Sequence, residues 1–389
     1  MSSPQLIAVQ TATPPAPSKP LFGMDVAELT ALMVELGEPT YRGKQLAEAL
    51  YRNRANSLDE ISTLPVALRQ RLAEAGYGVG LPELAQTFYS VDGTERYLVR
   101  MADGQTVETV WMPNGDGAAD ELGDDGEELP RSKRRVSSTL CISSQVGCAV
   151  NCQFCFTAKL GVRRNLTAGE IAGQVVAVLN RHDVPLAAKK DQDPARINLV
   201  FMGQGEPFLN YDAFMAAFRL LHEQIGIPAP RMTVSTSGIV PAIERFAAEP
   251  LRPRLAISLN GPNDELREQV MPINRKWNIA RLMEAIHAIP FKPREFVMFE
   301  YVLLGGVNDR LQDAAEVAKL IRGTGLPSKV NLIAWNAGPG IEYATPAPDD
   351  LAAFQKHLMD AGIRTYIRRP RGLDIYAACG QLKTTQGQG

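Results

Sequence analysis

From residue 139 onward, short apolar runs alternate with longer amphipathic stretches, and no other feature of the chain restricts its fold as much. The strand-like runs are 139–144, 197–202, 231–236, 253–259, 296–303 and 329–335. The helix-like stretches between and after them are 167–181, 211–225, 240–249, 278–288, 310–323 and 348–361. Thr167 and Glu170 form a capping box at the start of the first of these helices. Apolar strands that alternate with helices imply a parallel sheet covered by helices. Six such units are too few to close an eight-unit barrel. The expected fold is therefore α/β, a partial (β/α)6 barrel with its chemistry at the C-terminal ends of the strands.

The segment before the barrel reads differently. Residues 1–20 are rich in Pro, Ser, Ala and Thr and are expected to form a disordered tail. Residues 21–88 hold three short helical runs, Asp25–Leu36, Lys44–Tyr51 and Pro65–Ala75, which make a small helical domain. Its Arg42, Lys44, Arg52, Arg54, Arg69 and Arg71 suit an RNA-facing surface and a plain solvated one equally well. Residues 89–113 carry a hairpin signal, with 96–101 and 107–112 flanking Asp103-Gly104. Glu108 lies among apolar neighbours in the second strand, so it faces either water or a site. Residues 114–135 are acidic and Gly-rich, then basic, and are expected to form a flexible insertion. Residues 136–383 complete the barrel and a C-terminal segment.

Charge narrows the partners. A formal net charge of −2 gives no bulk attraction to nucleic acid, so an RNA site has to be a local basic patch. Arg163, Arg164, Arg368, Arg369 and Arg371 are candidates for it. No window approaches the ~18 apolar residues of a membrane span. The first residues lack a charged start followed by an apolar core. The expected compartment is the cytoplasm, where structural disulfides are rare.

The five cysteines are Cys141, Cys148, Cys152, Cys155 and Cys379. Three of them form CxxxCxxC directly after the first barrel strand. Zinc normally takes four ligands, often in paired CxxC form. There is no second CxxC, and the histidines (His182, His222, His287 and His357) lie elsewhere. Three thiolates suit an iron–sulfur cluster with one open position. The alternative is a zinc knuckle with Cys141 or Cys379 as a remote fourth ligand. At the other strand ends lie Gly205, Glu206, Ser235, Ser258, Leu259, Asn260 and Asn336, a set suited to a bound cofactor. Gly205 lets backbone approach closely because it has no Cβ.

CxxxCxxC followed by Phe156 resembles the signature of radical S-adenosylmethionine enzymes. The longer string Cys141-Ile-Ser-Ser-Gln-Val-Gly-Cys148-Ala-Val-Asn-Cys152-Gln-Phe-Cys155 is similar to that of the 23S ribosomal RNA adenine-C2 methyltransferases, the RlmN family. The resemblance continues through Gly203–Pro207, Ser235–Gly238, Ser258–Asn260, Trp335-Asn336 and Asp374–Leu382, and spans roughly 25–382. Two departures stand out. The insertion at 114–135 is long for the family, and Asn260 stands where many members carry His.

The resemblance implies a [4Fe-4S] cluster on Cys148, Cys152 and Cys155 and two S-adenosylmethionine molecules per turnover. Gly205, Glu206, Ser235, Ser258, Leu259, Asn260 and Asn336 would bind that cofactor. Cys379 would take a methyl group and pass it to adenine, and Cys141 would free the product through a transient disulfide. Glu108 would act as an acid/base, with Cys141 as a competing proton acceptor. The implied partners are 23S rRNA and tRNA, where adenosine 37 beside the anticodon is the target, and an electron donor such as flavodoxin. A monomer away from membranes is expected. The sister enzymes that methylate adenine C8 share these cysteines. A non-catalytic metal-cluster RNA-binding protein is the reading from another class.

Overall fold

The computed structural model describes residues 19–113, 137–186, 195–338 and 340–382. The insertion at 114–135 and nearly all of the expected tail lie outside the described residues. Lys19 and Pro20 do not belong to a tail. They form β1 (Lys19–Pro20), which pairs in parallel with β2 (Tyr77–Gly78) and closes the helical module. That module contains α1 (Val26–Glu35), α2 (Tyr41–Ala47) and α3 (Val66–Glu74). Asp25 caps α1 in a full capping box with Glu28.

A ten-stranded sheet frames the rest of the molecule. One end is antiparallel: β3 (Glu83–Tyr89), β4 (Glu95–Arg100) and β5 (Thr106–Met112). The expected hairpin is thus the inner part of a three-stranded extension, and the boundary expected between 88 and 89 falls inside a strand. β5 joins β6 (Ser137–Cys141), the first barrel strand, with Val110 opposite Cys141. A separate short pair follows, β7 (Gln145–Gly147) with β8 (Val162–Asn165), enclosing α4 (Phe156–Lys159). The parallel sheet then continues through β9 (Arg196–Phe201), β10 (Met232–Thr236), β11 (Arg254–Ser258), β12 (Val297–Leu303), β13 (Ser328–Ala334) and β14 (Arg364–Arg368). Sequence order and spatial order coincide, as in a barrel wound by successive βα units.

The helices are α5 (Ala168–Arg181), α6 (Tyr211–Arg219), α7 (Val240–Ala247), α8 (Asp264–Val270), α9 (Ile279–His287), α10 (Leu311–Gly323) and α11 (Pro348–Asp360). All six helices expected for the barrel are present. The structure adds β14 and α8. β14 reads Arg-Thr-Tyr-Ile-Arg and α8 reads Asp-Glu-Leu-Arg-Glu-Gln-Val, and neither has the apolar periodicity that marks an element in sequence.

One apolar core runs from Leu29, Leu50 and Leu68 of the helical module to Val175, Phe218, Phe299 and Phe354 of the barrel. Polar ties reinforce this contact. Arg52 donates to the Glu223 carbonyl at 3.2 Å and Arg54 to the Val184 carbonyl at 2.9 Å. Arg42 donates to Thr63 O, Arg69 to Asp59 O and Arg71 to Glu38. These arginines hold the module together and dock it. Of the six basic residues considered for RNA, Lys44, Arg52 and Arg71 remain exposed on the module surface. Among the described residues no helix is long and apolar enough to cross a membrane.

Candidate active site

The cysteine loop has a narrow neck. Gly147 has φ +79°, and a Cβ there would lie 1.7 Å from the Gly161 carbonyl, so only glycine lets β7 and β8 close. The Cys148 N–H donates to that carbonyl at 3.0 Å. Past the neck, Phe154, Phe156, Val270, Met271, Leu304, Trp335 and Ile341 form a small apolar cluster against which Cys152 and Cys155 pack. Trp335 Nε1 donates to Phe154 O at 3.0 Å, and the Gln153 N–H donates to Val270 O at 2.9 Å. Burial pushes the Cys148 thiol up to about 12, and raises Cys152 and Cys155 as well. Among the described residues no three or more His, Cys, Asp or Glu side chains converge as ligands of one ion would. Three soft donors in a closed apolar loop suit a cluster that spreads its ligands.

Cys379 reaches the same place from the other end of the chain. The Asn336 amide donates to the Cys379 carbonyl at 3.5 Å, and the Phe156 N–H donates to Gly380 O at 2.9 Å. Thr157 Oγ1 donates to Leu382 O at 2.8 Å, and Gln381 to Ala337 O at 2.9 Å. Upstream, Ser90 and the Val91 N–H donate to Asp374, while Asp92 accepts from the Gly372 N–H and pairs with Arg371. The segment is therefore strapped between the cysteine loop and the β3–β4 turn. Beneath it lies a cavity of about 110 Å³ lined by Cys141, Cys155, Cys379, Asn336, Arg368 and Met112, among others. Cys379 is exposed as a residue, while the packing around its sulfur raises the thiol. The Arg368 guanidinium works against that rise. Burial, with Cys379 adding to it, raises Cys141 well above the usual thiol range.

The strand-end residues gather as the barrel geometry requires. Gly205 has φ +102°, and a Cβ there would meet Gln145 and Ser144 within 2.8 Å. The close approach is thus to the chain's own β7 segment. Beside it, the buried Ser144 Oγ has no hydrogen-bond partner among the described residues, a feature of sites that take a polar ligand. Glu206 accepts from the Ser237 N–H and hydroxyl, both at 2.7 Å, and from the Phe208 N–H at 3.0 Å. Ser235 and Ser258 hydroxyls lie 3.4 Å apart on neighbouring strands, and the Leu259 N–H donates to Glu300 O. Asn260 sits at φ +53° and accepts from the Val302 N–H at 2.7 Å, so its side chain ties β11 to β12.

Glu108 is buried and ion-paired with Arg96. It is not among the residues lining the cavity. Strand alternation nevertheless puts it on the same face of β5 as Met112, which does line it. The basic candidates divide. Arg164 pairs with Asp103 and Glu170 and Arg163 donates to Gln105, whereas Arg368, Arg369 and Arg371 line the cavity, Arg371 while bound to Asp92. Among the buried charged residues that the sequence did not single out are Glu300 and Arg267. Glu300 accepts from Asn331 at 2.8 Å, and burial lifts its carboxyl to about 7. Arg267 is wholly buried on α8. A charged residue inside the apolar run 296–303 was the available signal for Glu300; Arg267 gave none.

The radical SAM superfamily profile matches residues 142–321, and the profile of the ribosomal RNA large subunit methyltransferase N-terminal domain matches residues 19–77. A probable dual-specificity RNA methyltransferase RlmN of Koribacter versatilis is 56% identical over 354 residues, covering 91% of this chain and 99% of that one. The dual-specificity RNA methyltransferase RlmN of an Anaeromyxobacter species is 44% identical, covering 96% and 93%. A crystal structure of a radical SAM methyltransferase from Sphaerobacter thermophilus superposes with a TM-score of 0.81 at 38% identity, over 94% of this chain and 99% of that one.

Proposed function

The chain belongs to the RlmN family of radical S-adenosylmethionine RNA methyltransferases, and from that premise we propose that it methylates C2 of an adenosine in the peptidyl-transferase centre of 23S rRNA and of adenosine 37 in tRNA. The observation that carries this reading is the shared cavity of Cys141, Cys155 and Cys379. Adenine C2 is electron-poor and cannot attack a methylsulfonium directly, so a protein-borne methyl carrier beside the cysteine loop answers a chemical need. Cys148, Cys152 and Cys155 would hold the cluster, with Gly205, Glu206, Ser235, Ser258, Leu259, Asn260 and Asn336 around the cofactor. When bound, the cluster supplies the electron that splits S-adenosylmethionine and so provides radical reactivity.

The chain's own groups do the rest. Cys379, as thiolate, displaces S-adenosylhomocysteine from S-adenosylmethionine and keeps the methyl group. Arg368 favours that thiolate. Once the methyl carbon is joined to C2, a base removes the C2 proton. Glu108, on the cavity-facing side of β5, suits that task better than Cys141, which burial keeps as a neutral thiol. Cys141 then attacks the Cys379 sulfur and yields its proton; the disulfide forms, the S–CH2 bond breaks with its electron pair left on carbon, and that carbon takes up a proton to become the methyl group, while the odd electron of the radical step would return to the cluster. A cytoplasmic reductant returns both thiols. Arg369, beside the cavity, is placed for a phosphate contact.

Mass spectrometry of nucleosides from treated 23S rRNA and tRNA tests the reading. 2-Methyladenosine is expected, and 8-methyladenosine in its place would overturn it. Cys379→Ala should keep its iron and lose all turnover. Cys141→Ala should accumulate a covalent protein–RNA adduct, visible as a shifted band on a denaturing gel.

A further inference from the structure

We propose that Arg267 is the buried counter-charge of the cysteine loop and the tie that fixes the cofactor-facing strand ends. The inference rests on the cysteine loop holding a cluster. Arg267 is fully buried. Its Nε donates to Leu259 O at 3.0 Å, one terminal nitrogen to Ser237 O at 2.6 Å and Ser258 O at 3.3 Å, and the other to Asn274 Oδ1 at 2.7 Å. Every one of these acceptors is neutral. Three are backbone carbonyls at the ends of β10 and β11, where Ser258 and Leu259 are expected to meet the cofactor and Ser237 holds Glu206.

A buried cation without an anion is costly, and carbonyl dipoles satisfy its N–H groups without neutralising its charge. Among the described residues no carboxylate bonds to it. The nearby Asp264 is engaged by Asn274 Nδ2 at 2.9 Å and the Ile279 N–H at 2.8 Å. An ionised Cys152, as a ligating thiolate would be, would attract the guanidinium more than Asp264 does. α8 also touches the cysteine loop directly, through the bond from the Gln153 N–H to Val270 O. Space is cleared for the side chain: a Cβ on Gly261 would lie 2.6 Å from Arg267 backbone, and one on Gly238 would lie 3.3 Å from its guanidinium. With a cluster bound, its three thiolate ligands would leave this loop anionic, and reduction would add another negative charge. A fixed cation in a low-dielectric site lowers the cost of that added charge. The same guanidinium joins two strand ends to α8, so geometry and charge are set by one side chain.

Anaerobically reconstituted full-length protein gives the test through iron content, cluster midpoint potential and S-adenosylmethionine affinity by calorimetry. Arg267→Gln should shift the potential to a more negative value and weaken binding about ten- to a hundredfold, the usual effect of losing an outer-shell partner. Arg267→Lys keeps the charge but loses the planar fork, so its potential should stay near wild type while affinity falls. An iron-loaded Arg267→Gln protein with the wild-type potential overturns the counter-charge. Wild-type affinity in both variants overturns the tie. Asn274→Ser, which retains the charge and removes one acceptor, decides the matter if Arg267→Gln does not fold. Unchanged affinity there overturns the tie, and a negative shift in potential overturns the charge argument. A wild-type chain that takes up no iron would instead strike at the family reading.

Discussion

Glu300 couples the barrel interior to pH. Burial raises its carboxyl from 4.5 to about 7, with the Asn331 hydrogen bond opposing the rise. Between those values the folded chain keeps a proton that the unfolded chain has released. Stability therefore declines as pH rises through this window and levels off above it. The gap corresponds to roughly 3 kcal/mol. Denaturant midpoints measured at pH 5 and pH 8 should differ more for the wild type than for Glu300→Gln; equal differences would contradict this account. The contrast with the cysteines shows what sequence can carry. Cys148, Cys152 and Cys155 were legible because local spacing alone puts three thiols in one loop. Arg368 looked like surface charge for RNA, since only its place at the end of β14 turns it toward Cys379. Glu300 and Arg267 take their meaning from burial by distant segments, which no local pattern encodes.

Among the elements, the β7–β8 neck is the most demanding. Gly147→Ala would force a side chain into the Gly161 carbonyl at a backbone angle L-residues rarely adopt. The expected outcome is a folded barrel with at most a small fraction of wild-type iron after reconstitution, read by iron analysis beside circular dichroism. Full iron loading would show that the neck does not shape the loop. The regular elements were legible because α5, α9, α10 and α11 and the apolar strands show the periodicity that burial of one face or both imposes. β14, α8 and the β7–β8 pair were not, for a common reason. Each is short, and each is stabilised by what it lies against: the edge of β13, the guanidinium network of Arg267, and a glycine-cleared strand crossing.

At the scale of the molecule, the helical module and the barrel share one core, from Leu29 and Leu68 through Val175 to Phe354. Cores joined in this way unfold together. Calorimetry of the iron-free protein should give a single transition, and an early separate transition for residues 19–77 would show that the docking contributes little. The alternation of strand and helix announced the barrel, but it could not reveal that Asp374 reaches back to Ser90 or that Gly380 bonds Phe156. That strap has a consequence for biosynthesis. Cys379 is made after every strand of the sheet, yet its seat is built from residues near 90 and 156. A growing polypeptide lays down every strand, and the loop of Cys148, Cys152 and Cys155 with them, before Cys379 exists to take its seat, so the seat is shaped first and the cysteine fitted to it last.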